Sequence, residues 1–187
     1  LPTRDALLDA ALERFSTHGF GGTSIRDLAG DVGIRESSVY KHFPSKQAIL
    51  DAAIERSDET FAQLSAAMGA DAVDPELAAR DTYTDISTTD LESLAVDLLD
   101  AVAAEPRIRK LIGMLTIEQF RDDAVASRLR SHLLDGPIRF QTAIFTTLGD
   151  AGKLLEGVNA SDAARTFWSP IACLLFTGQF GDDAREI

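Results

Sequence analysis

The side chains of residues 23–46 that could do chemistry are mostly hydrogen-bond donors, and several of them are basic. Donors of this kind bind phosphate oxygens, and arginine also pairs with the edge of guanine. Val39 and Phe43 are four residues apart and share one apolar helix face. Ser37, Ser38, Lys41 and His42 point away from that face, and Tyr40 lies at its margin. A helix with these two faces is typical of segments that lie in the major groove of DNA. The candidate DNA contacts are Thr23, Ser24, Arg26, Ser37, Ser38, Tyr40, Lys41, His42 and Lys46.

The first element that must position these donors is a helix over residues 24–32. Its N-terminus can be capped by Thr23 or Ser24, whose hydroxyl accepts a backbone N–H, and Asp27 suits its positive end. Gly33 falls just beyond, where a left-handed residue would end the helix. Apolar residues at helical spacing predict one buried face, formed by Ile25, Leu28, Ala29 and Val32.

A second helix over 36–43 follows the turn and carries most of the donors. Pro44 ends it because proline disfavours helical geometry in the residue before it. Ser45 then caps a long helix over 45–68, and another helix over 3–17 precedes the pair. Three helices around a tight turn form a helix-turn-helix module.

Over about residues 3–57 the chain resembles the TetR family of bacterial transcription regulators. The motifs that carry the resemblance are Ala6-Leu-Leu-Asp-Ala-Ala-Leu-Glu-Arg-Phe15, the link His18-Gly-Phe-Gly-Gly-Thr-Ser24, and Val39-Tyr-Lys-His-Phe-Pro-Ser-Lys46, which fits the family's Tyr-x-His-Phe-x-x-Lys pattern. The resemblance implies phosphate contacts from Thr23, Tyr40, His42 and Lys46. It also implies positions near base edges for Arg26, Ser37, Ser38 and Lys41.

Two residues depart from the family's pattern at the start of the second helix. Arg35 stands where members often carry a capping serine or threonine, so this helix start is predicted to be weaker. Glu36 follows at the groove-facing entrance, where its carboxylate can accept from a cytosine amino group or simply repel phosphate. The operator sequence therefore does not follow from these residues.

The rest of the chain has the pattern of further helices, with no strand alternation. Residues 69–90 are small and polar and predict a connection with a short helix at 75–81. Later helices are predicted at 91–105 (capped by Asp90), 106–120, 122–135, 137–151 (after a break at Gly136-Pro137) and 161–180 (capped by Ser161-Asp162). The predicted fold is all-α. An N-terminal helix-turn-helix DNA-binding domain over 1–47 is joined by the long helix to a helical effector-binding and dimerisation domain over 48–187.

Aromatic and aliphatic residues furnish the interior of the second predicted domain. Core packing is the default interpretation of such residues. If the chain binds an effector, as the resemblance implies, some of them line a cavity, and an apolar cavity would suit a lipophilic small molecule. The candidate pocket residues are Phe61, Leu98, Val102, Met114, Ile117, Phe120, Phe140 and Trp168.

The last two predicted helices are strongly apolar, which fits either a monomer core or an interface between subunits. The resemblance implies a homodimer built on these helices. Two copies spaced roughly 34–36 Å apart would read a palindromic operator in double-stranded DNA. The candidate interface residues are Phe140, Ile144, Leu148, Phe167, Ile171, Leu174 and Leu175.

Composition argues against several other classes of protein. The chain of 187 residues is 45% hydrophobic and 26% charged, as is ordinary for a globular protein, and no apolar run suits a membrane helix. The single cysteine excludes an intrachain disulfide and a cysteine-cluster metal site, and the three histidines are scattered. No cofactor, nucleotide loop or nucleophile–base pair is indicated, so the chain is not expected to be an enzyme. A bacterial cytoplasmic location fits.

The net charge of −12 is distributed unevenly along the chain. Residues 1–57 hold seven Lys and Arg against eight Asp and Glu, a net of −1, which leaves −11 for the remainder. Acidity away from the proposed DNA face disfavours other orientations on DNA. The interpretation that follows is a homodimeric repressor released from its operator by a small molecule. The alternatives are an effector-independent repressor or activator of the same fold, or an α-helical enzyme or protein-interaction module.

Overall fold

The computed structural model describes residues 3–67, 79, 83–87, 89–91, 93, 96–97 and 105–177. Within those ranges every regular element is helical, as the sequence predicts. No helix there is long and apolar enough to span a membrane. The helices are α1 (Thr3–His18), α2 (Ile25–Val32), α3 (Glu36–Val39), α4 (Lys46–Ala67), α5 (Pro106–Glu118), α6 (Asp123–Arg130), α7 (Gly136–Asp150) and α8 (Ala160–Thr177). A π-helical stretch, Ser131–Asp135, connects α6 to α7 and is called the π segment below.

The contacts divide the chain into two compact units. The first comprises Leu1–Thr60 and Arg107–Leu129, and the second comprises Phe61–Pro106 and Arg130–Ile187. The first unit contains the helix-turn-helix sequence, and it also contains nearly all of α5 and α6. The predicted boundary after residue 47 follows the helix-turn-helix sequence alone, so it separates α5 and α6 from the helices with which they pack.

Ion pairs and apolar packing hold α5 to α1 within the first unit. Asp9 on α1 pairs with Arg107 on α5 at 2.7 Å and with Arg56 on α4 at 3.2 Å, and Lys110 pairs with Glu13. These pairs are partly exposed, so each contributes only about 0–1 kcal/mol. Burial of apolar side chains therefore dominates, and the buried set includes Leu7, Leu8, Phe15, Leu28, Ile49, Ile108, Leu111, Leu115 and Val125.

Local capping residues set the bounds of α2 and α4 as predicted. Ser24 caps α2 in a capping box: its hydroxyl accepts from the backbone N–H of Asp27, whose carboxylate accepts from the N–H of Ser24. Gly33 ends α2 in the left-handed region, at φ 72° and ψ 32°. The hydroxyl of Ser45 accepts from the N–H of Ala48 at the start of α4.

Helix α3 is shorter than the predicted 36–43. It covers only Glu36–Val39, and its N-cap, Arg35, makes no side-chain capping bond. Beyond Val39 the backbone continues as turns, with the carbonyl of Val39 accepting from both His42 and Phe43. An uncapped start and a following proline leave few residues that favour a longer α-helix.

Two predicted caps in the second unit are wrong by a few residues. Ser87, not Asp90, is the N-cap of the helix near residue 90, because the Ser87 hydroxyl accepts from the N–H of Asp90 and the Asp90 carboxylate accepts from Ser87. Asn159, not Ser161-Asp162, caps α8, because its side-chain oxygen accepts from the N–H of Ser161 at 2.8 Å. In each case a neighbouring polar side chain is better placed to accept.

Contrary to the prediction, Gly136 and Pro137 do not interrupt the helical backbone. Gly136 is helical, at φ −64° and ψ −57°, and its N–H donates to the carbonyl of Ser131, five residues earlier. A Cβ at position 136 would lie 2.9 Å from that oxygen, so the close approach favours glycine. The change of hydrogen-bond register accommodates Pro137, which has no N–H to donate.

The core of the second unit is built mainly on α7. Phe140, Ile144, Phe145 and Leu148 pack there, together with side chains from earlier in the unit and from α8. Trp168 on α8 is buried, and its indole N–H donates to the carbonyl of Leu133 in the π segment at 2.7 Å. The predicted helix at 75–81 falls almost entirely outside the described residues, as do much of the helix at 91–105 and the end of the helix at 161–180.

Candidate nucleic-acid interface

Most of the donors predicted near α3 are exposed in the first unit. The buried residues behind them are Val39 and Phe43, and the guanidinium of Arg4 lies 5.0 Å above the ring of Phe43. This is the two-faced arrangement expected of a helix that enters a groove. Ser37, Tyr40, Lys41 and His42 are exposed and Ser38 is half-buried.

Helix α2 adds Arg26 to this set of donors. Arg26 is exposed on the first turn, where the guanidinium is free to approach a base edge or a phosphate. Ser24 is also exposed, but its hydroxyl lies 2.6 Å from the Asp27 carboxylate and completes the capping box. This hydroxyl, followed by the N–H of Ser24, lowers the pKa of Asp27 below its ordinary value. Ser24 therefore shapes the start of α2 in addition to facing outward.

Thr23 and Lys46 are turned inward rather than grouped with the exposed donors. Thr23 is only 2% exposed, and its hydroxyl donates to the carbonyl of Gly19. The Lys46 ammonium donates to the carbonyls of Phe20 and Thr23, at 2.7 Å each, and lies 4.1 Å from the centre of the Phe20 ring. An ammonium has three N–H donors, so one remains for a phosphate.

An ion pair connects α1 to α2. Arg14 on α1 forms a bidentate pair with Asp31 on α2. The hydrogen bond from Arg14 lowers the pKa of Asp31, and the same bond raises the pKa of Arg14. Both side chains are partly exposed, so the pair orients the two helices rather than supplying much stability.

Sequence reasoning missed two residues that contact the helix-turn-helix from outside it. Glu118, at the end of α5, accepts the backbone N–H of Phe20 at 2.7 Å, and Arg121 lies 5.5 Å above the Phe20 ring. Phe20 and Glu118 are 98 residues apart in sequence, so no local pattern could have indicated their contact. The sequence correctly predicts α5 as a helix, but it does not predict that α5 contacts the link between α1 and α2.

The candidate pocket residues divide into buried and exposed sets. Phe120 is 85% exposed and Ile117 is also exposed, so the prediction that they lie in the interior is wrong. Helix α5 ends at Glu118, which leaves Phe120 in the turn beyond it. Leu98 and Val102 lie outside the described residues. The buried candidates are Met114 in the first unit and Phe61, Phe140 and Trp168 in the second.

The candidate dimer residues are mostly buried within the chain itself. Phe167 is half-buried and Leu174 is 40% exposed on α8. The others already form the core between α7 and α8 and offer no free surface: Phe140, Ile144, Leu148, Ile171 and Leu175. Of the predicted interface residues, only Phe167 and Leu174 on α8 are accessible at the surface.

Residues 7–53 match the model for bacterial regulatory proteins of the tetR family. The biofilm operon icaADBC HTH-type negative transcriptional regulator IcaR of Staphylococcus aureus is 36% identical over 52 residues, which is 28% of this chain and 28% of IcaR. The HTH-type transcriptional repressor ComR of Escherichia coli is 36% identical over 59 residues, 32% of this chain and 28% of ComR. The chain thus matches little more than a quarter of the length of these curated relatives.

Solved structures share the fold along almost the whole chain. Salmonella enterica GusR is 24% identical with a TM-score of 0.62, covering 99% of this chain and 88% of that protein. A TetR-family transcriptional regulator from Agrobacterium tumefaciens is 20% identical with a TM-score of 0.64, covering 97% and 90%. The SmeT–triclosan complex is 22% identical with a TM-score of 0.61, covering 95% and 80%. At these identities the likeness concerns the fold.

A capped helix-turn-helix with exposed hydrogen-bond donors is typical of DNA-binding modules. The match over residues 7–53 then specifies the group: this segment carries the domain found in bacterial regulatory proteins of the tetR family. Both curated relatives are described as transcriptional regulators.

Proposed function

We propose that this chain represses transcription by binding a specific DNA operator as a homodimer, and that a small molecule releases it. The observation that carries the proposal is the outward face of α3 and its following turn. There Ser37, Tyr40, Lys41 and His42 are exposed, whereas Val39 and Phe43 are buried. Such a face can enter the major groove while the rest of the module holds it.

The donors take different roles on the duplex. Arg26 pairs with a guanine through two hydrogen bonds, and Lys41 and the serines of α3 lie near base edges. Tyr40 and His42 donate to phosphates, which position the module without reading sequence. Lys46 offers its remaining N–H to a phosphate, while Thr23 contributes through the fold of the link, since its hydroxyl is already bound to Gly19.

Dimerisation supplies the second reading module that a palindrome requires. An exposed part of α8 carries Pro170, Cys173 and Leu174, with half-buried Phe167 beside it. A face of this kind on each of two copies suits a symmetric interface. In this proposal residues 1–47 bind DNA and residues 48–187 bind the effector and the partner subunit.

A lipophilic effector is supported by the apolar interior of the second unit. Phe61, Phe140 and Trp168 are buried there, and the Phe61 ring stacks on His132 at 4.5 Å. Two proteins of similar fold are known as complexes with ligands that are wholly or partly lipophilic: SmeT with triclosan, and FadR from Bacillus subtilis with stearoyl-CoA, whose acyl chain is apolar. The effector needs only a higher affinity for the conformation that does not fit DNA.

The test is fluorescence anisotropy with the duplex upstream of the gene for this chain, beside a scrambled duplex, over a salt series. We expect tight binding of the first duplex only, with two subunits or a multiple of two per site. The logarithm of affinity should fall linearly with the logarithm of salt concentration. Equal binding to both duplexes, or a monomer that binds neither, would contradict the proposal.

Triclosan and stearoyl-CoA are the first probes for release on the same duplex. A ligand that binds the native state raises the melting temperature, so a thermal-shift measurement reports binding independently of DNA. Release together with a thermal shift supports an effector-controlled repressor. A broader ligand screen with no thermal shift would favour the effector-independent regulator instead.

A further inference from the structure

The link between α1 and α2 is a tight segment that leads directly into the helix-turn-helix. Gly19 opens it in the left-handed region, at φ 68°. A Cβ at Gly22 would collide with the carbonyl oxygen of His18, so the chain folds back closely on the end of α1. Thr23 and the cap Ser24 follow at once, so the shape of the link sets where α2 begins.

Glu118 fixes one side of this link. Its carboxylate is the one charged side chain that is buried in the described part of the chain, at 3% exposure. Oε1 accepts the N–H of Phe20 at 2.7 Å, and Arg121 approaches Oε2 only to 3.9 Å. Burial of a carboxylate is unfavourable unless its hydrogen bonds compensate, and an apolar side chain would fill the site at lower cost. Stability alone therefore does not explain why an acidic side chain occupies this buried position.

Lys46 fixes the other side of the same peptide. Its ammonium donates to the carbonyl of Phe20 and to that of Thr23, and it lies against the Phe20 ring. Lys46 is also the first residue of α4, directly after the donors of α3 and its turn. The Phe20 residue is thus held through its N–H by α5 and through its carbonyl and ring by α4.

We propose that Glu118 is a positioning residue for DNA binding, although it lies far outside the family-matched segment and need not touch DNA. Its carboxylate holds the Phe20 N–H, and Phe20 in turn holds Lys46 and the start of α2. Without this bond the link relaxes, and Arg26 on α2 is no longer fixed relative to Lys41 after α3. The inference rests on the DNA-binding function proposed above.

The test compares three substitutions with wild-type protein at a temperature where circular dichroism shows all to be folded. Glu118→Ala removes the acceptor, and Glu118→Gln keeps an acceptor oxygen. Val125→Ala is a matched control that opens a cavity at a buried position on α6 of the same unit. Anisotropy gives operator affinity, and hydrogen exchange monitored by NMR gives the protection of the Phe20 amide.

We expect Glu118→Ala to bind operator about tenfold more weakly and to lose protection at the Phe20 amide, as suits a lost bond to a charged acceptor. Glu118→Gln should stay within about threefold of wild type and keep most of that protection, because its oxygen can accept the same N–H. Val125→Ala should lower the melting temperature but bind operator like wild type. Rescue by glutamine distinguishes positioning from a general need for stability.

Several outcomes would overturn the inference. Wild-type affinity in folded Glu118→Ala would do so, and so would equal losses in Glu118→Ala and Val125→Ala. If Glu118→Ala does not fold, Glu118→Leu fills the same space without an acceptor and should show the same weak binding. Wild-type protein that fails to bind any operator specifically would remove the proposed function as well, whereas normal wild-type binding with unaffected variants removes this inference alone.

Discussion

At the scale of single residues, exposure separates two kinds of candidate that sequence alone grouped together. Tyr40 is 53% exposed, as expected of a groove-facing donor, whereas Thr23 is almost fully buried. The first follows only in part from the spacing of Val39 and Phe43, which puts Tyr40 at the margin of the buried face. The second depends on how the link after α1 folds back, which involves contacts that a local pattern does not contain.

Arg26 gives the sharpest test at this scale. Arg26→Ala should weaken binding to the preferred operator by about 1–3 kcal/mol and relax the preference at one base pair per half-site, because a bidentate contact to guanine is lost. Competition anisotropy with single-base operator variants measures both effects. Arg139→Ala, which removes an exposed arginine on α7 of the second unit, is the matched control and should change neither.

The contrary result for Arg26 is also informative. An equal loss on every operator variant, with a salt slope smaller by about one per subunit, would mean that Arg26 contacts a phosphate. In that case the reading of sequence would rest on Lys41 and the serines of α3.

At the scale of elements, capping residues predict the ends of helices well where only one residue nearby can act as the cap. Gly33 and Ser45 are examples, and both end or begin helices as expected. The predicted cap near residue 160 was wrong because Asn159 offers a side-chain oxygen just before Ser161. The π segment was not predicted, because a glycine–proline pair usually ends a helix and only the contact with Ser131 reveals the altered register.

The capping box of α2 predicts a pH-dependent effect on stability. Ser24→Ala should lower the free energy of unfolding by about 1 kcal/mol at pH 7, because the N-cap bond to Asp27 is lost. The pKa of Asp27 is lowered in the folded state, first by the Ser24 hydroxyl and then by its N–H. The stabilisation that depends on the ionised Asp27 carboxylate is therefore present above the ordinary pKa of aspartate, about 3.9. It is lost as pH falls through the folded-state pKa.

Urea denaturation at pH 7 and again near pH 3 would check this prediction. The difference between wild type and Ser24→Ala should shrink at the lower pH, since protonated Asp27 accepts the Ser24 bonds poorly. Ser16→Ala removes a hydroxyl that bonds only to a carbonyl of its own helix, so it should have little effect at either pH. A difference that grows on acidification would contradict the role given to Asp27.

At the scale of the whole molecule, the sequence predicts an all-α chain whose acidity lies away from the helix-turn-helix. It does not predict that Arg107–Leu129 joins the first unit, because Asp9 and Arg107 are distant in sequence and an amphipathic helix such as α5 does not indicate which core it covers. The exposure of α8 is likewise a property of packing. A buried Ile171 and an exposed Leu174 belong to the same apolar run in the sequence.

Leu174 is the residue through which the proposed dimer can be tested with the least damage to the fold. It is 40% exposed, so Leu174→Arg removes little from the core of its own chain, but it would place an unpaired charge in an interface formed by α8. We expect light scattering to show a monomer with an unchanged helical spectrum. Operator affinity should fall by about a hundredfold or more, because two linked reading modules bind far more tightly than one.

Leu155→Arg, at an 82% exposed loop position of the same unit, should remain a dimer and bind normally. A Leu174→Arg protein that stays dimeric would show that the two subunits meet elsewhere, while a monomer that binds operator as tightly as wild type would mean that a single α3 suffices for recognition.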